Sequence, residues 1–148
     1  MTAVEVTGSV PRFPRREIVA FVRKVLLALE RIDHPGEISD VSIAFVDDDA
    51  MQALNRRFRR KNRTTDVLTF PADDSYADPA RRGRPLGDIV ISLQRARLQA
   101  AEEHHSLATE VRYLLLHGVL HALGHDHETD DGEMNALEVR VREMVGLR

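Results

Sequence analysis

The chain has 148 residues, 43% of them hydrophobic and 30% charged, with no cysteine and no tryptophan. That length predicts one domain over residues 1–148 that buries about 70% of its unfolded surface, and the missing cysteines exclude a disulfide scaffold or disulfide-linked partner, a thiolate metal site and a cysteine nucleophile, in keeping with a reducing, cytoplasmic setting. A net charge of −3, from 24 acids and 21 bases, excludes a uniformly basic nucleic-acid binder.

Ala3 to Thr7 alternates apolar and polar residues like a short edge strand. Pro14 opens a helix where its missing N–H costs nothing. Ile18, Phe21, Val22, Val25, Leu26 and Leu29 form the apolar stripe of that helix, and His34-Pro35-Gly36 ends it. Val41, Ile43 and Phe45 alternate with polar neighbours as a half-buried strand. Asp47, Asp48 and Asp49 then cap a short helix whose Met51, Leu54 and Phe58 point inward. Asp66 to Phe70 reads as a strand and Pro71 to Gly87 as a long loop. Asp88 to Ser92 is continuous enough in Ile and Val to be a central strand. Leu93 to Glu103 reads as a helix, and Ser106 caps a second one running through Tyr113, Leu114, Leu115 and Leu120. The last helix spans about Asp131 to Val145 with Met134, Leu137, Val141 and Met144 inward. The expected architecture is α+β, with a small mixed four-stranded sheet packed by helices. No apolar run approaches the roughly 20 residues of a membrane span, and the first residues lack the basic-then-apolar pattern of a signal peptide.

Histidine is unevenly placed. Four of the seven lie between residues 117 and 127, in His117-Gly-Val-Leu-His121-Ala-Leu-Gly124-His125-Asp126-His127. Residues four apart on a helix differ by about 40° around its axis, so His117 and His121 share a face and can chelate one ion. Gly124 suits the left-handed residue that ends a helix, after which His127 can supply a third nitrogen. His125 competes for that role if the helix continues, and Gly124 argues that it does not. Three histidines with a vacant position form a catalytic zinc arrangement rather than a closed structural one. The spacing H-x-x-x-H-x-x-G-x-x-H is that of the zincin-type metal helix of metzincin proteases, except that Gly118 stands where those enzymes carry the glutamate base. Asp126 is a candidate to orient an imidazole, whereas His34, His104 and His105 have no ligand spacing and read as surface residues.

The second cluster is basic. Arg56, Arg57, Arg59, Arg60, Lys61 and Arg63 place six bases in eight positions with no acid among them. Such a run is commonly just a solvated face, yet it is the one dense positive patch in an acidic chain, and arginine matches phosphate with a planar fork. Phe58 reads as core, and Tyr76, in the long loop, could stack on a base.

Three segments together resemble the YbeY family of bacterial endoribonucleases. They are Leu54-Asn55 through Phe58-Arg59 to Thr65-Asp66-Val67-Leu68-Thr69-Phe70-Pro71, then Leu86-Gly87-Asp88-Ile89, and the histidine cluster itself. Thr64, Arg60, Ala122 and His125 depart from residues common in the family, without touching the three-histidine pattern. The resemblance implies one Zn²⁺ bound by His117, His121 and His127, with Arg59, His117 and His121 serving catalysis. It also implies single-stranded RNA as substrate, ribosomal RNA maturation and quality control, and association with the small ribosomal subunit. A zinc so held would lower the pKa of its bound water towards about 7, giving a hydroxide that attacks phosphorus or deprotonates the 2′-hydroxyl, while Arg59 stabilises the phosphoryl charge. Two rival readings remain open at this point: a zinc peptidase that recruits Glu110 or Glu128 as base, and a non-catalytic ribosome assembly factor with a structural metal.

Overall fold

The computed structural model describes residues 1–59, 66–72, 83–125 and 132–147, Arg59 by its backbone alone. Its elements in chain order are β1 (Ala3–Thr7), α1 (Arg15–Ile32), β2 (Ile38–Val46), α2 (Asp48–Arg59), β3 (Val67–Pro71), β4 (Arg84–Ser92), α3 (Leu93–Glu102), α4 (Leu107–Ala122) and α5 (Glu133–Val145). The strands form one mixed sheet in the order β1-β2-β4-β3. β1 and β4 run parallel to β2, whereas β3 is antiparallel to β4. The α+β expectation holds, with β1 at an edge and β4 inside.

Both faces of the sheet are covered, and the strand sequences show why. Val41, Ile43 and Phe45 of β2 and Ile89 and Ile91 of β4 point into a large core that also takes the buried stripes of α1, α4 and α5. On the opposite face Val90 joins Met51 of α2 and Leu68 of β3, with Ala44, Val46, Leu54 and Phe70 packed around them. A strand apolar on both faces reads as a continuous hydrophobic run, as Asp88 to Ser92 does. The stripe expected on α1 is buried throughout.

Three expectations need correction. The loop assigned to residues 71–87 is too long, because β4 already begins at Arg84, whose N–H bonds to Glu37 O at 3.0 Å. Pro85 and Gly87 are accommodated there by register shifts against β2 on either side of Asp40. Met144 is 44% exposed, and Val145 is buried in its place. On a helix Val145 falls about 20° from Met134 and about 40° from Val141, whereas Met144 lies about 80° from Met134. Phe58, expected in the core, is 54% exposed. Met51 and Leu54 seat α2 on the sheet, and one turn later Phe58 reaches Phe70 only edge-on, at 5.4 Å between ring centroids.

α4 and β4 approach closely in the core. A Cβ added to Gly118 would lie 2.7 Å from Ile89 Cγ2, and Ile89 is fully buried and cannot withdraw. Gly118→Ala gains about 1 kcal/mol of helix propensity, but overpacking a filled core costs about 1–3 kcal/mol. The substitution is therefore expected to lower stability by about 1 kcal/mol in urea unfolding; a variant more stable than the parent would show that the helix lifts off the sheet freely.

Candidate functional site

α4 carries the histidines, and local chemistry sets both of its ends. Ser106 caps it by accepting the Thr109 N–H through its hydroxyl at 3.1 Å. At the other end Gly124, with φ +100°, reverses the chain. The His125 N–H bonds Leu120 O at 3.1 Å and the Gly124 N–H bonds His121 O at 2.9 Å, the paired bonds that close a helix on a left-handed residue. Expectation and structure agree that the helix stops here.

Most of α4 is buried: Glu110, Val111, Leu114, Leu115, Leu116, Gly118, Val119, Leu120 and Ala122 all lie inside. Tyr113, His117 and His121 occupy the remaining half-buried stripe at one-turn intervals. The Nε2 atoms of His117 and His121 are 2.9 Å apart, with ring centroids at 4.4 Å and planes at 61°. Without an ion, one ring donates an N–H to the other; with both nitrogens bare, two lone pairs converge on one point. The other nitrogen of His117, Nδ1, lies 3.7 Å from Glu138 Oε1 on α5. Imidazoles backed by a carboxylate make a donor set suited to a divalent cation, so the residues present fit the zinc that the resemblance implies. Among the described residues no three His, Asp or Glu side chains form a metal-holding group. His127, the third expected ligand, lies outside the described residues, as do Asp126 and Glu128.

Gly118 faces Ile89, so the position that would hold a protease's glutamate has no room for a side chain. Glu110 is a poor substitute, being buried with its Oε1 2.7 Å from His105 Nε2. His105 is thus not the surface residue expected. His104 adopts a left-handed backbone, φ 57°, which turns His105 back over α4, where its ring stacks on Tyr113 at 5.5 Å. Sequence spacing does not reveal this, because the contact depends on a non-glycine residue taking positive φ. His125 turns towards α1, its Nε2 3.4 Å from Asp33 Oδ2.

The basic run begins on α2. Arg56 and Arg57 are exposed, and the Arg57 guanidinium sits 5.2 Å from the centroid of the Phe58 ring. Arg59 is the last residue of α2, and Arg60, Lys61, Arg63 and Tyr76 lie outside the described residues. Beside α2, a cavity of about 550 Å³ is bounded by Phe58, Phe70, Ser42, Glu5 and Asp88. Glu5, Ser42, Asp88 and Phe70 form one row across the four strands. Burial, and then the negative charge of Glu5, push the Asp88 carboxyl above its ordinary value of 3.8. A raised pKa means that the folded state holds this proton to higher pH than the unfolded chain, so the contribution of Asp88 to stability falls as pH rises between the two values. Asp88→Asn is therefore expected to raise the denaturation midpoint at neutral pH, an advantage that fades below pH 3.8, where the carboxyl is protonated in both states. Equal midpoints for the two proteins at pH 7 would contradict this.

Comparison with known proteins places this geometry among relatives. A family model described as endoribonuclease YbeY matches residues 5–146. The chain is 45% identical over 108 residues, 73% of each chain, to the endoribonuclease YbeY of Nautilia profundicola. It is 40% identical over 140 residues, 89% of each chain, to that of Moorella thermoacetica. The solution structure of TM1509 from Thermotoga maritima is similar with a TM-score of 0.56 and 27% identity, over 97% of this chain and 89% of that one. A family match spanning nearly the whole chain, joined to a fold and a histidine-bearing helix of this kind, shows that the protein belongs to the YbeY endoribonuclease family.

Proposed function

We propose that the protein is a metal-dependent endoribonuclease that cuts single-stranded RNA in ribosomal RNA maturation and quality control, on or near the small ribosomal subunit. The observation that carries this reading is the convergence of His117 and His121 Nε2 at 2.9 Å on the half-buried stripe of α4. His117, His121 and His127 would hold one zinc ion. When bound, the ion supplies Lewis acidity that polarises a phosphoryl oxygen and eases deprotonation of water near neutral pH.

The chain's own residues do the rest. α4 is pinned on three sides by the core, so its two imidazoles are presented with little freedom, and preorganisation of that kind lowers the cost of reaching the transition state. Arg59, at the end of α2, would neutralise negative charge growing on the phosphoryl oxygens through its planar fork. Arg56 and Arg57 are available to flanking phosphates, and the exposed Phe58 ring offers a stacking surface beside them, a combination suited to unpaired nucleotides. Gly118 and the engagement of Glu110 with His105 count against a peptidase that takes its base from α4. No helix among the described residues is long and apolar enough to cross a membrane.

Purified protein is expected to carry about one zinc per chain and to cut single-stranded RNA, with cutting abolished by chelator and restored by zinc. His121→Ala is expected to lose the metal and at least about 100-fold in rate. Unchanged cleavage by this variant would sink the proposal, and a folded, zinc-loaded parent that leaves RNA uncut would favour a non-catalytic assembly factor.

Arg59→Ala is expected to keep the metal and the fold while single-turnover cleavage slows by about 10²–10³-fold. Arg59→Lys should recover only part of that loss, since a point charge does not reproduce the fork. A full rate in Arg59→Ala would remove the arginine from the mechanism.

A further inference from the structure

We infer that Glu138 is the positioning residue of the metal centre: from α5 its carboxylate holds the proton of His117 on Nδ1 and thereby turns a bare Nε2 towards the ion. The inference rests on the metal-binding reading above and extends it to a residue on a different helix, outside the histidine motif.

A neutral imidazole carries one N–H, on either nitrogen. If the His117 proton sits on Nε2, it points at His121 Nε2, 2.9 Å away, and closes the site. If it sits on Nδ1, the Nε2 lone pair is free for a cation. Glu138 lies on the Nδ1 side, with Oε1 3.7 Å from that nitrogen, and a movement of under about 1 Å brings the pair to hydrogen-bond distance. The Glu138 side chain is only 15% exposed, so its charge is mostly withdrawn from water and gains from a donor at this point. A carboxylate in that position also makes the imidazole a stronger ligand.

The placement of Glu138 follows from the way α5 packs. Met134, Leu137, Val141 and Val145 bury one side of the helix. Its C-terminal end is held where Lys24 Nζ donates to Val145 O at 3.4 Å and the Leu147 N–H bonds Arg142 O at 2.8 Å. α5 runs antiparallel to α4 in matched register. Arg142 stacks its guanidinium over Tyr113, 5.2 Å from the ring centroid, and one turn away on both helices Glu138 meets His117. The carboxylate is therefore delivered to His117 by a helix in fixed register rather than by a loop.

The test compares zinc affinity of the full-length parent, Glu138→Gln and His121→Ala by competition with a chelating dye, alongside melting of the metal-free proteins. Glu138→Gln is expected to bind zinc about 10–100-fold more weakly while its metal-free melting temperature stays close to the parent's. Equal affinities for parent and Glu138→Gln, with His121→Ala weakened, would overturn this inference and leave the metal site standing. Zinc affinity absent in the parent would overturn the metal site and the inference together. Should Glu138→Gln fail to fold, nitrogen NMR of the zinc-loaded parent decides: a His117 proton on Nδ1 supports the role, and a proton on Nε2 overturns it.

Discussion

The contact between Gly118 and Ile89 sets the geometry on which everything else in this protein depends. With no side chain at 118, α4 lies directly on the central strand, and the angular position of every other residue on the helix follows. Leu114, Leu115, Val119 and Leu120 are driven into the core, and the stripe of Tyr113, His117 and His121 is turned away from the sheet towards α5. A glutamate at position 118 would lift the helix and rotate that stripe. The lack of a protease-like base at position 118 and the close seating of the histidine-bearing helix are thus one fact seen from two sides: the residue that lets α4 lie on the sheet cannot also carry a carboxylate.

Sequence periodicity was enough to read the layers. The stripe of α1, the doubly apolar β4, the hydroxyl cap at Ser106 and the glycine stop at Gly124 are each local signals with a single physical meaning, and each is found where it was expected. What escaped the sequence depends on where an element ends relative to its neighbour. Phe58 has the spacing of a core residue, but the sheet no longer backs α2 at that turn, so the ring is left half in solvent against Phe70 and Arg57. Met144 and Val145 differ by one residue, and only the rotation of α5 on the core chooses between them. His105 became part of the fold through a strained turn at His104 that no spacing rule anticipates. The pairing of His117 with His121 was legible because four-residue spacing on a helix is rigid. Glu138 was not, since it comes from a helix whose register against α4 is decided by tertiary packing.

Charge is distributed in a way that the total of −3 hides. Glu5 and Asp88 sit in one row on the α2 face of the sheet, close enough that one raises the pKa of the other, while Arg56 and Arg57 stand on the solvent side of α2. Two carboxylates therefore lie beside the basic C-terminal end of α2 within the breadth of a few strands. For an anionic polymer such an arrangement steers as well as attracts: the arginine side draws phosphates and the carboxylates repel them, which favours passage over one side of α2 rather than indiscriminate adsorption.

The near-complete burial of α4 bears finally on how the protein opens. Elements with exposed backbone and few apolar neighbours fluctuate locally, whereas a helix buried along most of its length opens in larger, more costly units. The two imidazoles ride on a segment of the second kind. Displacement of the backbone that carries them is then not a local event that a loop could undergo many times a second; it belongs to the more cooperative openings of the fold. Any ion bound there would meet a backbone that holds still, so its release would depend on side-chain rotation and ligand exchange rather than on fluctuation of the helix beneath it.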